Sequence, residues 1–300
     1  MKRILVTGAG GAATLSFVRS LREAWGDDKF FIVGVDAGKY NLFRSEVDVP
    51  LLCPKAKDDA YIPFIAHIIN KYQIDFIHSQ PEIELFTLSK HRDQLMCRHF
   101  MPKHETVELL RDKWRSYAVW NRAGIKVPES MRIQSNWDLD VAFQRWGDIW
   151  LRETTGAAGK GSLSKPTLEQ ARTHLYARHA WGKAMAAEHL TDKTVTWQSI
   201  WHEGVLVVAQ GRRRLYWEFA NRAQSGVTGL TGTGETVSDP LVDEIAMRTV
   251  FASDEKPHGI FSVDMTYDWD GVPNPTEINI GKFFTTHLFI TRAGCNMPEI

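Results

Sequence analysis

The run Phe261-Ser262-Val263-Asp264-Met265-Thr266-Tyr267-Asp268-Trp269-Asp270-Gly271-Val272-Pro273-Asn274-Pro275-Thr276-Glu277-Ile278-Asn279 constrains the fold more than any other part of the chain. Asp-Gly is a favoured pair for a two-residue type I′ turn, so Asp270-Gly271 predicts an antiparallel hairpin closed by Trp269 and Val272. Counted back from that turn, Asp264 falls opposite Glu277, and Asn279 lies two residues further along the same face. Pro273 and Pro275 then point away from the partner strand, as they must on an edge. Two carboxylates held side by side raise each other's pKa unless a cation neutralises them. Asp264, Glu277 and Asn279 offer oxygen donors alone, the set suited to Mg²⁺ (or Mn²⁺) shared with phosphates and unsuited to zinc. The competing reading is a solvent-exposed hairpin whose acids keep an edge strand soluble.

The N-terminus has a different character. Ile4-Leu5-Val6 leads into Gly8, Gly10 and Gly11 and then an apolar helical pattern at Leu15, Phe17, Val18 and Leu21. Phe31 to Val35 ends at Asp36, and Ile74 to Ile77 reads as a further buried strand, so residues 1–110 are expected to form a parallel α/β unit. Strand, glycine turn, helix and a later acid superficially satisfy the dinucleotide fingerprint. A short-chain reductase also needs Tyr-x-x-x-Lys, and Tyr117 is followed by no such lysine. The expectation is a Rossmann-like turn that carries no nicotinamide cofactor, with an oxidoreductase as the competing class.

One helix is expected over residues 111–124, stopping at Gly124 before Val127-Pro128. Beyond it, strand-like runs at 184–188, 194–201 and 204–210, a helix near 239–251 and paired strands around 260–280 suggest an α+β second part. A second glycine-rich stretch, Gly156-Ala157-Ala158-Gly159-Lys160-Gly161, follows the apolar strand that ends at Arg152. Free amides and a fixed cation suit a triphosphate, although the spacing is not that of a P-loop, and a plain hairpin connection is the alternative. In Arg212-Arg213-Arg214, strand alternation puts Arg212 and Arg214 on one face, where they could receive a carboxylate or phosphate.

Thirty-six basic residues balance thirty-six acidic ones, so no overall field favours nucleic acid or an anionic membrane. No run reaches the roughly 18 apolar residues that span a bilayer. Cys53, Cys97 and Cys295 are odd in number and lie in no CxxC arrangement, against both a disulfide framework and a zinc site. A cytoplasmic protein is expected.

Taken together, these residues are identified as resembling the ATP-grasp superfamily, in particular ligases similar to the large subunit of carbamoyl phosphate synthase, over nearly the whole chain. The resemblance implies a Rossmann-like pre-ATP-grasp domain (1–110) and a two-lobed ATP-grasp domain (111–300, small lobe about 125–190, large lobe about 191–300). It implies ATP and Mg²⁺ as cofactors. It places Lys113, Arg152, Gly156, Gly159, Lys160 and Gly161 on the phosphates, Glu188 and Leu190 at an adenine hinge, and Asp264, Glu277 and Asn279 on the metal. Arg212, Arg214 and Lys282 would serve catalysis. The activity implied is ligation of a small-molecule carboxylate to an amine (less readily a thiol) through an acylphosphate, and a homodimer is expected because most members dimerise. Three positions depart from the family pattern. Thr194 stands near where a ribose-binding acid is usual, with Asp192 two residues before it. Ile280-Gly281-Lys282 replaces Pro-Arg after Asn279, so Lys282 would substitute for the arginine, and Glu153 replaces a proline after Arg152. These departures raise the alternative of a degenerate ATP-grasp module that binds nucleotide without ligating. The end at Ile300, close behind the family-like segment 293–298, suggests a truncated chain or the front of a longer one.

Overall fold

The computed structural model describes residues 1–25, 29–156, 159, 161–223, 225–227 and 231–300. Its first sheet contains β1 (Lys2–Thr7), β2 (Phe30–Asp36), β3 (Val49–Leu52), β4 (Phe76–Ser79) and β5 (Arg98–His99), all parallel in the order β3-β2-β1-β4-β5. The continuous apolar run of β1 suits a central strand covered on both sides, and Ile4, Leu5 and Val6 are buried. Helices α1 (Ala12–Trp25), α2 (Lys39–Leu42), α3 (Tyr61–Tyr72) and α4 (Glu82–Lys90) connect these strands.

The first glycine turn is closed by the chain itself. Asp36 accepts hydrogen bonds from the amides of Gly10 (3.1 Å) and Gly38 (2.7 Å). A Cβ on Gly10 would lie 1.8 Å from the Asn41 carbonyl oxygen, so this glycine admits the backbone of α2. The acid that a dinucleotide fold would turn toward a ribose is thus committed to local amides.

A second, antiparallel sheet of β6 (Ser130–Ile133), β7 (Ile149–Glu153), β8 (Leu163–Ser164) and β9 (Ala184–Glu188) runs in the order β6-β9-β7-β8. Ile133, Ile149 and Leu151 from its strands share a core with Leu139 of α7 (Asn136–Trp146) and Leu175 of α8 (Leu168–Ala177). In the chain between the two sheets come α5 (His104–Arg111), which was not expected, and α6 (Lys113–Arg122), which matches the helix expected over 111–124. Asp112 is extended and its carboxylate accepts from the amides of Trp114 and Arg115, so it caps a new helix in place of continuing the old one.

The third sheet, β10 (Thr194–His202), β11 (Val205–Trp217), β12 (Thr231–Val237), β13 (Gly259–Tyr267) and β14 (Pro273–Ile280), is antiparallel in the order β12-β11-β10-β13-β14. Helix α9 (Pro240–Ser253) packs on it, and α10 (His287–Arg292) returns to α1. Trp120, Trp197 and Trp201 are fully buried here, and the Trp120 indole N–H is satisfied by Ser253 Oγ at 2.8 Å. The architecture is therefore α/β followed by antiparallel α+β parts, as expected.

The hairpin corrects the expected turn. The amide of Asp268 donates to the Val272 carbonyl (2.9 Å) and that of Gly271, in the left-handed region at φ 80°, to the Asp268 carbonyl (3.1 Å). The loop is thus three residues, Trp269 to Gly271, and Trp269 and Val272 do not close it. Asp268 Oδ1 accepts from the amides of Asp270 and Val272, which stabilises the longer loop. Met265 consequently faces Pro275, one residue out of the expected register. A β-bulge at Thr276 takes up the extra residue, and Asp264 is returned opposite Glu277. Two one-residue departures cancel, and β14 is the edge strand that the prolines require.

Candidate active site

Across the third sheet the register aligns Arg212 of β11, Thr196 of β10, Asp264 of β13 and Glu277 of β14 in one row. The Thr196 hydroxyl donates to Asp264 Oδ1 (2.6 Å) and accepts from Arg212 Nη2 (3.0 Å). Asn279 Nδ2 donates to Asp264 Oδ2 at 2.8 Å, so the three hairpin residues form one cluster of oxygen-bearing side chains. Two residues along the strands, Arg214 donates to Thr194 Oγ1 (3.3 Å) and Thr231 Oγ1 (2.9 Å), with its guanidinium 3.4 Å from the Trp217 ring centroid. Arg212 is likewise placed 4.3 Å from the Phe284 ring and donates to Thr286 Oγ1 at 2.6 Å. Arg213 points the other way, to Glu235.

Cations from the preceding segments face this row. Arg152, at the end of β7, donates from Nη2 to Tyr117 Oη and the Thr276 carbonyl, both at 2.8 Å, and its Nη1 is 3.8 Å from Glu277. Lys113, the first residue of α6, is buried; its Nζ donates to the Gly156 carbonyl (2.9 Å) and stands 3.6 Å from Glu277. Burial pushes the Glu277 carboxyl upward, but Lys113, Arg152 and Lys282 outweigh it and hold the group below its ordinary range. Asp264 goes the other way: burial, with the Glu277 charge adding to it, raises its carboxyl against the pull of Arg214, Thr196 and Arg212. Burial and the Arg214 charge bring Arg212 down to about 10. The paired carboxylates thus differ in charge stability although they share one register position.

Lys113, Arg152, Arg212, Arg214, Asp264, Glu277, Asn279 and Lys282 line one cleft of about 680 Å³, as do Gly156, Gly159, Glu188, Leu190, Asp192 and Thr194, while Thr196 and Thr286 stand behind the lining. Gly161 does not; it packs against Glu153 Oε1 and Arg178, which form an ion pair at 2.6 Å. Lys160 lies outside the described residues. Glu188 Oε1 accepts from the Glu129 amide at 2.9 Å, so one of its oxygens braces β6 and the other remains for the cleft. The donor set suits a hard divalent ion: two carboxylates and an amide, with no nitrogen or sulfur ligand. Among the described residues no three His, Cys, Asp or Glu side chains gather for a metal, so Asn279 is needed as the third donor. The buried Nε groups of Arg152 and Arg212 have no hydrogen-bond partner among the described residues, which fits a site made for anionic oxygens.

Five contributors escaped sequence reading: Tyr117, Thr196, Trp217, Phe284 and Thr286. Only Thr196 had a local signal, since Thr194, Thr196 and Gln198 alternate with Val195 and Trp197 along β10.

No family model matches the sequence, and no curated protein matches it. Solved structures match along its length. An L-amino acid ligase from Bacillus licheniformis aligns with a TM-score of 0.73 at 12% identity, covering 100% of this chain and 72% of that one. A biotin carboxylase–β,γ-ATP complex from Campylobacter jejuni aligns with a TM-score of 0.73 at 16% identity, over 99% of this chain and 69% of that one. D-alanyl-alanine synthetase A from Vibrio cholerae gives a TM-score of 0.68 at 15% identity, covering 99% and 95%. The chain shares the fold of these three proteins. On that fold, the hairpin carboxylates and the Lys113–Arg152 wall face each other across the cleft. No helix among the described residues is long and apolar enough to cross a membrane.

Proposed function

We propose that this protein is an ATP-dependent ligase that joins a small-molecule carboxylate to an amine, with ADP and phosphate as products. The observation that carries this reading is the meeting of Asp264, Glu277 and Asn279 with Lys113, Arg152, Arg212, Arg214 and Lys282 in one cleft. Glu188 and Leu190 would receive the adenine edge. Lys113, Arg152 and the amides of Gly156 and Gly159 would hold the phosphates, while Asp192 and Thr194 stand by the ribose. Asp264, Glu277 and Asn279 would hold Mg²⁺, which supplies neutralisation of the phosphate oxygens.

In the reaction a carboxylate oxygen attacks the γ-phosphorus and ADP leaves. The amine then attacks the carbonyl carbon, phosphate leaves and the amine loses a proton. For the first step this chain supplies fixed cations and little covalent chemistry, which is what phosphoryl transfer needs. Arg212, aimed by Thr196 and Thr286 and braced on Phe284, would hold the attacking carboxylate. Because that guanidinium is pre-set by hydroxyls and makes no ion pair among the described residues, it lies ready for an incoming anion.

Titration calorimetry with ATP, with and without Mg²⁺, tests the reading. Binding should depend on the ion and be lost in the Glu277→Ala, Asn279→Ala double variant; wild-type protein that ignores ATP but binds NAD(H) would overturn it. Phosphate release during a screen of acids and amines separates a ligase from a module that only binds nucleotide.

A further inference from the structure

We infer that Gln80 and Gln198 are positioning residues for Lys282, holding its peptide from two different sheets so that its ammonium faces the terminal phosphate of ATP; this rests on the ligase reading above. The segment that leaves β14 crosses from the third sheet to the first. Gln80, just beyond β4, accepts the Phe283 amide on Oε1 at 2.8 Å. Gln198 of β10 donates from Nε2 to the Lys282 carbonyl (3.3 Å) and to Ser262 Oγ (3.0 Å), and its Oε1 is 3.2 Å from His287 Nδ1. His78 Nε2, 3.0 Å away, shares Gln80 Oε1.

Both glutamines are buried, Gln80 with 6% and Gln198 with 0% of its surface exposed. An amide placed there costs desolvation that an aliphatic side chain of similar size avoids, so packing alone does not account for either residue. What the two amides accomplish is to grip both sides of one peptide, the Lys282 carbonyl and the Phe283 N–H. The rest of the crossing is held too: Ser16 Oγ of α1 donates to the Thr285 carbonyl at 2.8 Å, and Gly281 donates to the Ile260 carbonyl at 2.7 Å.

Lys282 lines the cleft and its charge acts on Glu277, yet its ammonium has no hydrogen-bond or ion-pair partner among the described residues. A lysine side chain has several rotatable bonds and confers little direction unless its backbone is fixed. Here that fixing comes from both sheets, so the placement of the ammonium follows the seam between them.

The test compares Mg–ATP with Mg–ADP, because the difference isolates the terminal phosphate. In calorimetry the wild type should prefer ATP, and Lys282→Ala should reduce that preference by roughly tenfold or more. Gln80→Met and Gln198→Met should show the same loss, with ADP affinity unchanged within about twofold and folding checked by thermal melting. Gln80→Glu, which keeps an acceptor for Phe283, should restore the preference. Retention of the ATP preference in both Met variants would overturn the inference, as would an equal loss of ATP and ADP binding. A wild type that binds neither nucleotide would overturn the ligase reading itself, and this inference with it.

Discussion

Asp264→Asn and Glu277→Gln should abolish the same activity while moving the stability of the metal-free protein in opposite directions. Each removes one of the two carboxylates opposed across β13 and β14, and either loss should lower Mg²⁺-dependent phosphate release by about a thousandfold, the scale of several kcal/mol of charge stabilisation. Stability separates them because their surroundings differ. Glu277 sits between Lys113 and Arg152 with Lys282 acting on it, and its folded pKa is depressed. Its contribution is therefore present above the unfolded pKa and lost as pH falls, and neutralising it by mutation leaves those cations facing one another. Asp264 is raised by burial, so its charge opposes folding at neutral pH; asparagine removes that cost, keeps an acceptor for Thr196, and meets Asn279 once the Asn279 amide turns its oxygen toward the new N–H. Thermal denaturation at pH 7 in chelator should show Asp264→Asn melting above wild type and Glu277→Gln below. If both melt on the same side, the assignment of the two environments is wrong. A more stable but inactive Asp264→Asn protein would mark this carboxylate as kept for function at the expense of stability.

The row that makes this prediction was visible in the sequence because it depends on alternation and on a turn, both local properties. Asp264 and Glu277 were paired correctly even though the turn was wrong by one residue, since the Thr276 bulge removed the error before it reached them. Nothing in a single strand announces such a bulge: it arises where a loop and a ladder disagree. Gly8, Gly10 and Asp36 were legible as a turn, but not that Asn41 and the local amides would occupy it, which is decided by how α2 folds back. The cations were legible as charges on strand and helix ends. Their orienting groups were not, because Tyr117 meets Arg152 across 35 residues, Thr196 meets Asp264 across 68 and Gln80 meets Phe283 across 203. Gly161 failed for a related reason: as one of several glycines in a loop it carries no mark of facing Arg178 instead of the cleft.

The seam between the first and third sheets should make stability fall on the acid side, at a rate that one buried carboxyl holds in check. Burial pushes His78 down to about 4 and His287 down to about 3, so both imidazoles stay neutral in the folded protein through pH 5. In the unfolded chain they take up protons near pH 6.5. Stability from this pair is thus complete above pH 6.5 and lost as pH falls, by roughly 1.4 kcal/mol per pH unit for each histidine. Glu84, buried near Asp36 and the first glycine turn, works against them. Burial raises it to about 7, so the folded protein holds a proton that the unfolded chain releases above about 4.5. Its contribution is complete below pH 4.5 and lost as pH rises through 7, which offsets one histidine between pH 4.5 and 6.5. The three together should leave a net loss of roughly 1 kcal/mol per unit of acidification from pH 6 to 5. Glu84→Gln should roughly double that slope and raise stability at pH 8 by about 3 kcal/mol, provided the amide fits the same space. His78→Gln should flatten the slope instead. Denaturant titrations followed by tryptophan fluorescence between pH 5 and 8 measure all three, and an acid limb unchanged by both substitutions would show that these groups do not control it. The same neutrality keeps charge off His78 and His287, which hold the glutamines that grip the Lys282 peptide, so the crossing segment should keep its hydrogen bonds down to about pH 5 even as global stability declines.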